Sequence, residues 1–426
     1  MASWQFGIGN LVARAVAAPA AVSPAAADAE LPLAHLGSGY PDEEGALQWR
    51  SDGAYEIDFD LNLLASSSDR ADAPTGWLDL VNLLSGTPGL PALPPDWGSY
   101  GGRATALRLY RPVVQEIEVM PGEQVKIEYG IYRPSGAAGA TGVRVRVVDT
   151  SSGKGWDGAA WSDGGVLDSQ AVADTWKDAT ETIDADANRT ERSVYRVILE
   201  PIASSYDATS YVYTSANGAA GSPVLYAEVD LVAVVGHNLP ADADVTLDPQ
   251  PSGTSLTLTP AQPSMYTVGV AAQLIRTWRL SIQMPTGVQP RPRLGEVWIG
   301  TARTLLGGSP ILPINVNEGD PAQARLEASS GRVQVAGTGV PTRASMMLEF
   351  TFEMAAYRQA RDEIARLTRH GEEPLLLLPS ESFEGAGRVY HGRLGSDVTY
   401  TRISPGTDDA LRSFALEFEE SPLAAA

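Results

Sequence analysis

Short runs of apolar–polar alternation, each cut off by glycine or proline, restrict this chain more than any other feature. The clearest is Tyr55-Glu56-Ile57-Asp58-Phe59-Asp60-Leu61, in which apolar and acidic residues alternate without a break. A period of two sends successive side chains to opposite faces of a strand, so Tyr55, Ile57, Phe59 and Leu61 are expected to face a core. Arg276-Thr277-Trp278-Arg279-Leu280-Ser281-Ile282 repeats the pattern with Trp278, Leu280 and Ile282 on the apolar side. Further strands are expected over 104–110, 115–119, 124–132, 142–149, 195–200, 225–235, 245–247, 254–258 and 296–301. The 42 glycines and 30 prolines supply the turns between them, of which Met120-Pro121-Gly122-Glu123 is the plainest. An all-β fold follows.

The C-terminal part reads differently. Tyr357, Ala360, Ile364 and Leu367 recur at steps of three and four, which predicts a helix over 355–370 with Gly371 as its stop. Strands are expected over 345–352, 375–378, 389–394 and 413–419, the second bracketed by Pro374 and Pro379. Together these make a small β-barrel or sandwich with one flanking helix. Eight of the nine tryptophans lie between Trp49 and Trp298 and none beyond, placing a boundary near residue 305.

Length and charge narrow the functions. A chain of 426 residues exceeds what one core usually serves, so two or three domains are expected. Its formal charge of −21 repels phosphates, which argues against nucleic acid as a partner. No run approaches the ~20 apolar residues that span a bilayer, so no membrane insertion is expected. Residues 11–27 are rich in Ala and Val but contain two prolines and no lysine, and read as an ordered or draped arm. The absence of cysteine excludes thiolate metal sites and cysteine nucleophiles. The four histidines (His35, His237, His370 and His391) accompany no G-x-S-x-G or H-E-x-x-H motif. Residues 136–142 are glycine-rich but lack the Lys-Ser/Thr of a phosphate loop. No catalytic residue is therefore expected, although the 52 acidic residues hold many carboxylate pairs, none singled out by the sequence.

Aromatic residues stand out instead. Trp156, Trp161, Tyr206, Tyr211 and Tyr213 lie near Asp157 and Asp163 in glycine-rich surroundings. Rings can stack on sugars while carboxylates take the hydroxyls. The same rings can also plug the ends of a β-sandwich, and the sequence leaves both readings open.

Family resemblances enter here. Ala34-His35-Leu36, Trp49-Arg50-Ser51 and Glu56-Ile57-Asp58-Phe59 resemble the opening of a discoidin (coagulation factor 5/8 type C) jelly roll. That pattern resumes at Val234-Val235-Gly236-His237-Asn238-Leu239-Pro240 and continues through Trp278-Arg279-Leu280 to Gly295-Glu296-Val297-Trp298-Ile299-Gly300. Between them, Val119-Met120-Pro121-Gly122-Glu123, Val143-Arg144-Val145-Arg146-Val147, Trp156-Asp157-Gly158, Trp176, Tyr195-Arg196-Val197 and Val229-Asp230-Leu231 resemble a family 4/9 carbohydrate-binding module. The resemblances imply nested jelly-roll β-sandwiches: 1–61 with 231–304 as the outer one, 62–230 inserted, and 305–426 as a tail-tube-like barrel. They also imply a structural calcium, for which Asp230 matches one ligand position.

The order of these segments resembles structural proteins of tailed phages. That implies a non-enzymatic virion protein of the tail or tail tip. Its partners would be other tail proteins, further copies of itself as a homo-oligomer, and a weakly held host-surface glycan. A soluble glycan-binding protein, a capsid decoration protein and a glycan-cleaving tail enzyme are the alternatives.

Overall fold

A computed structural model describes residues 5–23, 33–37, 47–48, 54–65, 77–79, 96–137, 139–185, 192–204, 210–218, 222–260, 264–285, 292–304, 315–319, 324–327, 333–336, 343–352, 373–379, 389–402 and 412–420. Trp49-Arg50-Ser51, Tyr206 and the helix expected over 355–370 lie outside the described residues. The fold is nearly all β, built from antiparallel sheets of the β-sandwich class. The chain divides into two compact units, Met1–Asp60 with Val229–Ala426 (unit 1) and Leu61–Glu228 (unit 2).

Unit 1 opens with β1 (Gln5–Gly7), the single-turn helix α1 (Leu11–Arg14), β2 (Ala20–Ser23), β3 (Leu47–Gln48) and β4 (Ala54–Asp60). Unit 2 comprises β5 (Leu78–Asp79), β6 (Asp96–Tyr100), β7 (Arg103–Leu109), β8 (Val113–Val119), β9 (Val125–Tyr132), β10 (Ala140–Asp149), β11 (Gly155–Trp156), β12 (Trp161–Ser162), β13 (Leu167–Gln170), β14 (Lys177–Ile183), β15 (Ser193–Ala203), β16 (Val212–Ser215) and β17 (Val224–Ala227). Unit 1 resumes with β18 (Val229–Val235), β19 (Asp244–Gln250), β20 (Leu256–Leu258), β21 (Ser264–Gln273), β22 (Thr277–Gln283), β23 (Arg293–Leu294), β24 (Glu296–Gly300) and β25 (Ala302–Thr304). Its last strands are β26 (Asn315–Gly319), β27 (Ala324–Glu327), β28 (Val333–Ala336), β29 (Arg343–Phe352), β30 (Leu375–Leu378), β31 (Tyr390–Arg402) and β32 (Arg412–Glu420).

Unit 2 is a two-sheet sandwich. One sheet runs β12-β11-β10-β15-β8-β5 with β13 also on β10; the other runs β14-β9-β16-β7-β6 with β17 also on β9. Alternate residues of both fill the space between: Val143, Val145 and Val147, Val197 and Leu199, and Ile127, Tyr129 and Ile131 are all buried. The ends of the unit are tied together. Leu63 N donates to Leu225 O at 2.7 Å, and Asn62 Oδ1 accepts from Leu225 N at 3.0 Å. A segment whose ends meet in this way can leave and rejoin another fold at little cost in chain entropy.

In unit 1 the acidic alternation of β4 finds its cations on β22 and the residue just before it, more than two hundred residues later. Tyr55, Ile57 and Phe59 are buried as expected, as are Trp278, Leu280 and Ile282, and so is Leu61, where unit 2 begins. On the other side Asp58 receives Arg279 at 2.7 and 2.9 Å, and Asp60 receives Arg276 at 2.7 and 2.5 Å. Residues 11–23 are ordered: α1 is capped by Asn10, and β2 pairs along β4. A three-stranded sheet, β21-β18-β24, packs on the seven-stranded sheet β25-β1-β30-β31-β32-β29-β26 through Leu231, Ala233, Val235, Trp298, Leu376, Leu378 and Val389. Gly7 makes room at this contact. A Cβ there would stand 2.8 Å from a Leu231 methyl and 3.2 Å from the Trp298 indole nitrogen.

Three expectations change. Among the described residues the C-terminal strands form no closed barrel, because their sheet has two distinct ends, β25 and β26. The expected boundary near 305 is crossed by the same sheet: β1 pairs with β25 on one side and β30 on the other, so the first and last parts of the chain share one ladder. The strand expected over 225–235 is two strands. β17 belongs to unit 2 and β18 to unit 1, and the break falls at Glu228, whose N–H donates to Gln124 O at 3.1 Å.

Candidate functional site

The residues expected to bind sugar separate onto two sheets of unit 2. Trp156 and Trp161 lie on the β11–β12 hairpin, with Asp157 in its turn and Asp163 just past its end. Tyr211 and Tyr213 lie on or next to β16 of the opposite sheet. On the hairpin, Trp156 is buried with its ring edge-on to Trp161 at 5.6 Å, and Trp161 packs on Tyr195 at 5.0 Å. The Trp161 indole N–H donates to Asp184 O at 2.9 Å.

Asp157 Oδ1 accepts from the N–H groups of Ala159 (3.0 Å) and Ala160 (2.8 Å), and its Oδ2 accepts from Ser162 Oγ at 3.0 Å. These bonds, that to Ala160 foremost, hold its carboxyl below the usual carboxylate range. The carboxylate therefore shapes the turn. Asp163 is exposed. At this sheet edge Trp156 is therefore covered and Trp161 half covered.

The outward face of the six-stranded sheet is built otherwise. Register places Tyr132, Tyr213 and Arg108 side by side on β9, β16 and β7. Tyr211 meets Tyr213 edge-on at 5.6 Å and carries the Arg108 guanidinium 3.9 Å over its ring. One row along, Gly130 and Ser215 are paired, and Asp178 of β14 lies opposite Gly130. Arg103 stretches across this row from β7. Its Nη1 donates to Ser215 Oγ (2.6 Å) and Ala216 O (2.7 Å), and its Nη2 donates to both Asp178 oxygens (2.8 and 3.0 Å).

Only glycine leaves this slot open. A Cβ on residue 130 would stand 2.2 Å from Arg103 Nη1 and 2.6 Å from Asp178 Oδ1. The Trp176 indole covers the guanidinium at 4.1 Å, a cation–π stack. Trp176 is itself fixed, its N–H donating to Gly101 O at 3.0 Å, where Gly101 has φ +54°. Tyr132 lies 5.3 Å from Trp176, and its hydroxyl donates to Asp174 Oδ1 at 3.4 Å. Partial desolvation, then the Asp174 charge, raise the Tyr132 phenol. The Asp174 carboxyl is lowered, chiefly by the Ser135 N–H that donates to it at 2.9 Å.

The face therefore presents three half-buried rings, Trp176, Tyr132 and Tyr211, held by hydrogen bonds and cation stacking with polar groups between them, while Tyr213 is wholly buried beneath its neighbours. Such a surface can stack a sugar ring and meet its hydroxyls. Sequence reading named Tyr211 and Tyr213 and placed Trp176 among the residues that resemble a carbohydrate-binding module, but passed over Tyr132, Arg103, Arg108 and Gly130. Alternation along 125–132 does put Gly130 and Tyr132 on the outward face. Nothing local says which strands stand beside them.

Asp230, the expected calcium ligand, lies on β18 with its Oδ1 accepting from Ala302 N at 2.7 Å. Partial burial pushes its carboxyl up despite that bond. Among the described residues no group of three or more His, Asp or Glu side chains could hold a metal ion. His237 is buried in the turn after β18, its Nδ1 accepting from Leu239 N at 3.2 Å. No protein-family model matches the chain, and no curated protein matches it.

Proposed function

We propose that this chain is a non-catalytic structural protein of a tailed-phage tail or tail tip, and that unit 2 offers the outward face of its six-stranded sheet to a host-surface glycan. The observation that carries the binding part is the fixed pair of half-buried rings, Trp176 over Arg103 and Tyr132 against Trp176, which are held in place before any ligand arrives. Preorganised rings cost little entropy on binding. The virion part is supported by the order of the jelly-roll-like and C-terminal segments. Copies of the chain repeated around a tail would add avidity, so single-site affinity on the order of millimolar is enough.

Quantitative mass spectrometry of density-purified particles tests the assembly. Recovery in fixed ratio to a tail-ring protein supports it, whereas recovery only in the supernatant overturns it. The second reading, a soluble glycan-binding protein, is favoured by the same pair of rings and takes first place in that case. Titration of the full chain with host-surface polysaccharide, followed by the indole N–H signal of Trp176, tests the site. A saturable shift of that signal, lost in Tyr132→Ala, supports it, and an unchanged signal removes the glycan.

A further inference from the structure

The core of unit 1 holds an acid and a base that no binding role uses. Glu296 on β24 and His391 on β31 face each other between the three-stranded and seven-stranded sheets, Oε2 to Nε2 at 3.2 Å, with side chains 1% and 0% exposed. Neither atom has another hydrogen-bond partner among the described residues. The other carboxyl oxygen accepts from Asn10 Nδ2 at 3.1 Å. Asn10 spends its remaining capacity on backbone, donating to Val297 O and accepting from Val12 N and Ile299 N. The imidazole lies edge-on to Trp298 at 6.0 Å, and its Nδ1 has no partner among the described residues.

We infer that Glu296 and His391 hold one proton between them, and that this shared proton clasps the two sheets of unit 1 only within a bounded pH range. A buried carboxylate or imidazolium standing alone would lack the donors or acceptors to replace water. A pair with one proton is neutral overall whichever atom carries it. Burial supports this by pushing Glu296 up to about 8, against the Asn10 bond, and His391 down to about 3, with a smaller push from Arg393.

Among the described residues few other charges stand near. Arg393 is exposed on the strand of His391, with Glu419 and Glu420 in register opposite residues 393 and 392. Asp230 lies on β18 and His237 just past its end, and His35 lies on the 3-10 turn Leu33–Gly37. Arg14 ends α1 and donates to Gly9 O, Arg303 lies on β25, and Arg293 lies on β23. Strands β1, β21 and β30 bring no charged side chain.

The pH profile follows from the proton count. Unfolded, the carboxyl titrates near 4.5 and the imidazole near 6.5. Between those values the unfolded chain also holds one proton on the two groups, so the pair makes no slope. Above 6.5 the unfolded chain holds none and the folded chain one, so stability falls with rising pH until about 8. Below 4.5 the unfolded chain holds two, so stability falls as pH drops toward about 3. Each limb changes the unfolding constant by up to roughly tenfold per pH unit.

The test is urea unfolding of the full chain from pH 3.5 to 9. Pulsed hydrogen exchange at one labelling pH reads it on peptides covering 292–304 and 389–402. Glu296→Gln should abolish the alkaline limb and start the acid limb near 6.5 instead of 4.5, while His391→Gln should abolish the acid limb and start the alkaline one near 4.5. Profiles parallel to the parent chain in both variants overturn the inference. If neither variant folds, the imidazole carbon signal of His391 in the labelled parent chain decides. A neutral imidazole down to about pH 4 upholds the shared proton, and a titration near 6.5 overturns it.

Discussion

The two sheets of unit 2 turn opposite kinds of surface outward from the same alternating strands. Across β13, β10, β15 and β8 the outward positions form a lattice of ion pairs. Arg144 meets Asp168 at 2.7 Å, Arg146 meets Glu200 at 3.0 Å, Arg196 meets Glu116 at 2.6 Å, and Arg192 meets Glu118 at 3.3 Å. Apart from Arg192, which is 9% exposed, and Glu200, these side chains are about a third or more exposed, so water and salt screen the Arg144, Arg146 and Arg196 pairs and each contributes little. On the six-stranded sheet, Arg103 is 11% exposed and its partner Asp178 36%, and the guanidinium lies in a slot left by Gly130 and is roofed by Trp176. Both faces carry arginine and carboxylate. What distinguishes them is a missing Cβ, which converts a solvated pair into a fixed one with an aromatic lid.

That contrast can be broken or sharpened by substitution. Gly130→Val fills the slot and expels Arg103 from Ser215, Ala216 and Asp178 together. Unit 2 should lose about 3 kcal/mol in urea unfolding, and the Trp176 indole signal should lose its stacked environment. Arg103→Met keeps the bulk under the indole but leaves Ser215 and Asp178 without their donor, and should cost about 2 kcal/mol. Trp176→Ala should cost about 1 kcal/mol, the worth of a partly desolvated cation–π stack, while removing any glycan binding. On the lattice face, Glu116→Ala should change stability by less than about 0.5 kcal/mol, and the little it does change should vanish in molar salt. A loss above 2 kcal/mol for Glu116→Ala would erase the distinction between the faces.

Much of the strand content was legible along the chain. The alternation at 55–61 and 276–282 placed seven core side chains correctly, because a half-buried strand has to alternate. The turn at 120–123 was equally plain, and there Met120 N donates to Glu123 Oε2 at 2.9 Å and Gly122 takes φ +69°. The apolar run over 225–235 was not divisible by eye. A strand buried on both faces has no period, so nothing marked Glu228 as the place where the chain passes from one unit to the other.

The candidate site shows the same limit. Tyr211 and Tyr213 were found, but they were grouped with Trp156 and Trp161, which lie on the other sheet. Trp176 was named only through the carbohydrate-module resemblance, and Tyr132 and Gly130 were missed, because their placement together depends on cross-strand register.

By itself, then, the sequence determined that this chain is all-β, where many of its strands run, which of their faces are apolar, and that its surface is acidic. These follow from period, turn residues and composition, all local properties. Only the tertiary structure decided that β1 joins strands from both ends of unit 1 in one sheet, that Arg103 lies across Gly130, and that Glu296 meets His391 across a core. Those pairings join residues tens to hundreds of positions apart. Hydrogen-bond register and the packing of one sheet on another select them, and neither leaves a mark in the neighbouring sequence.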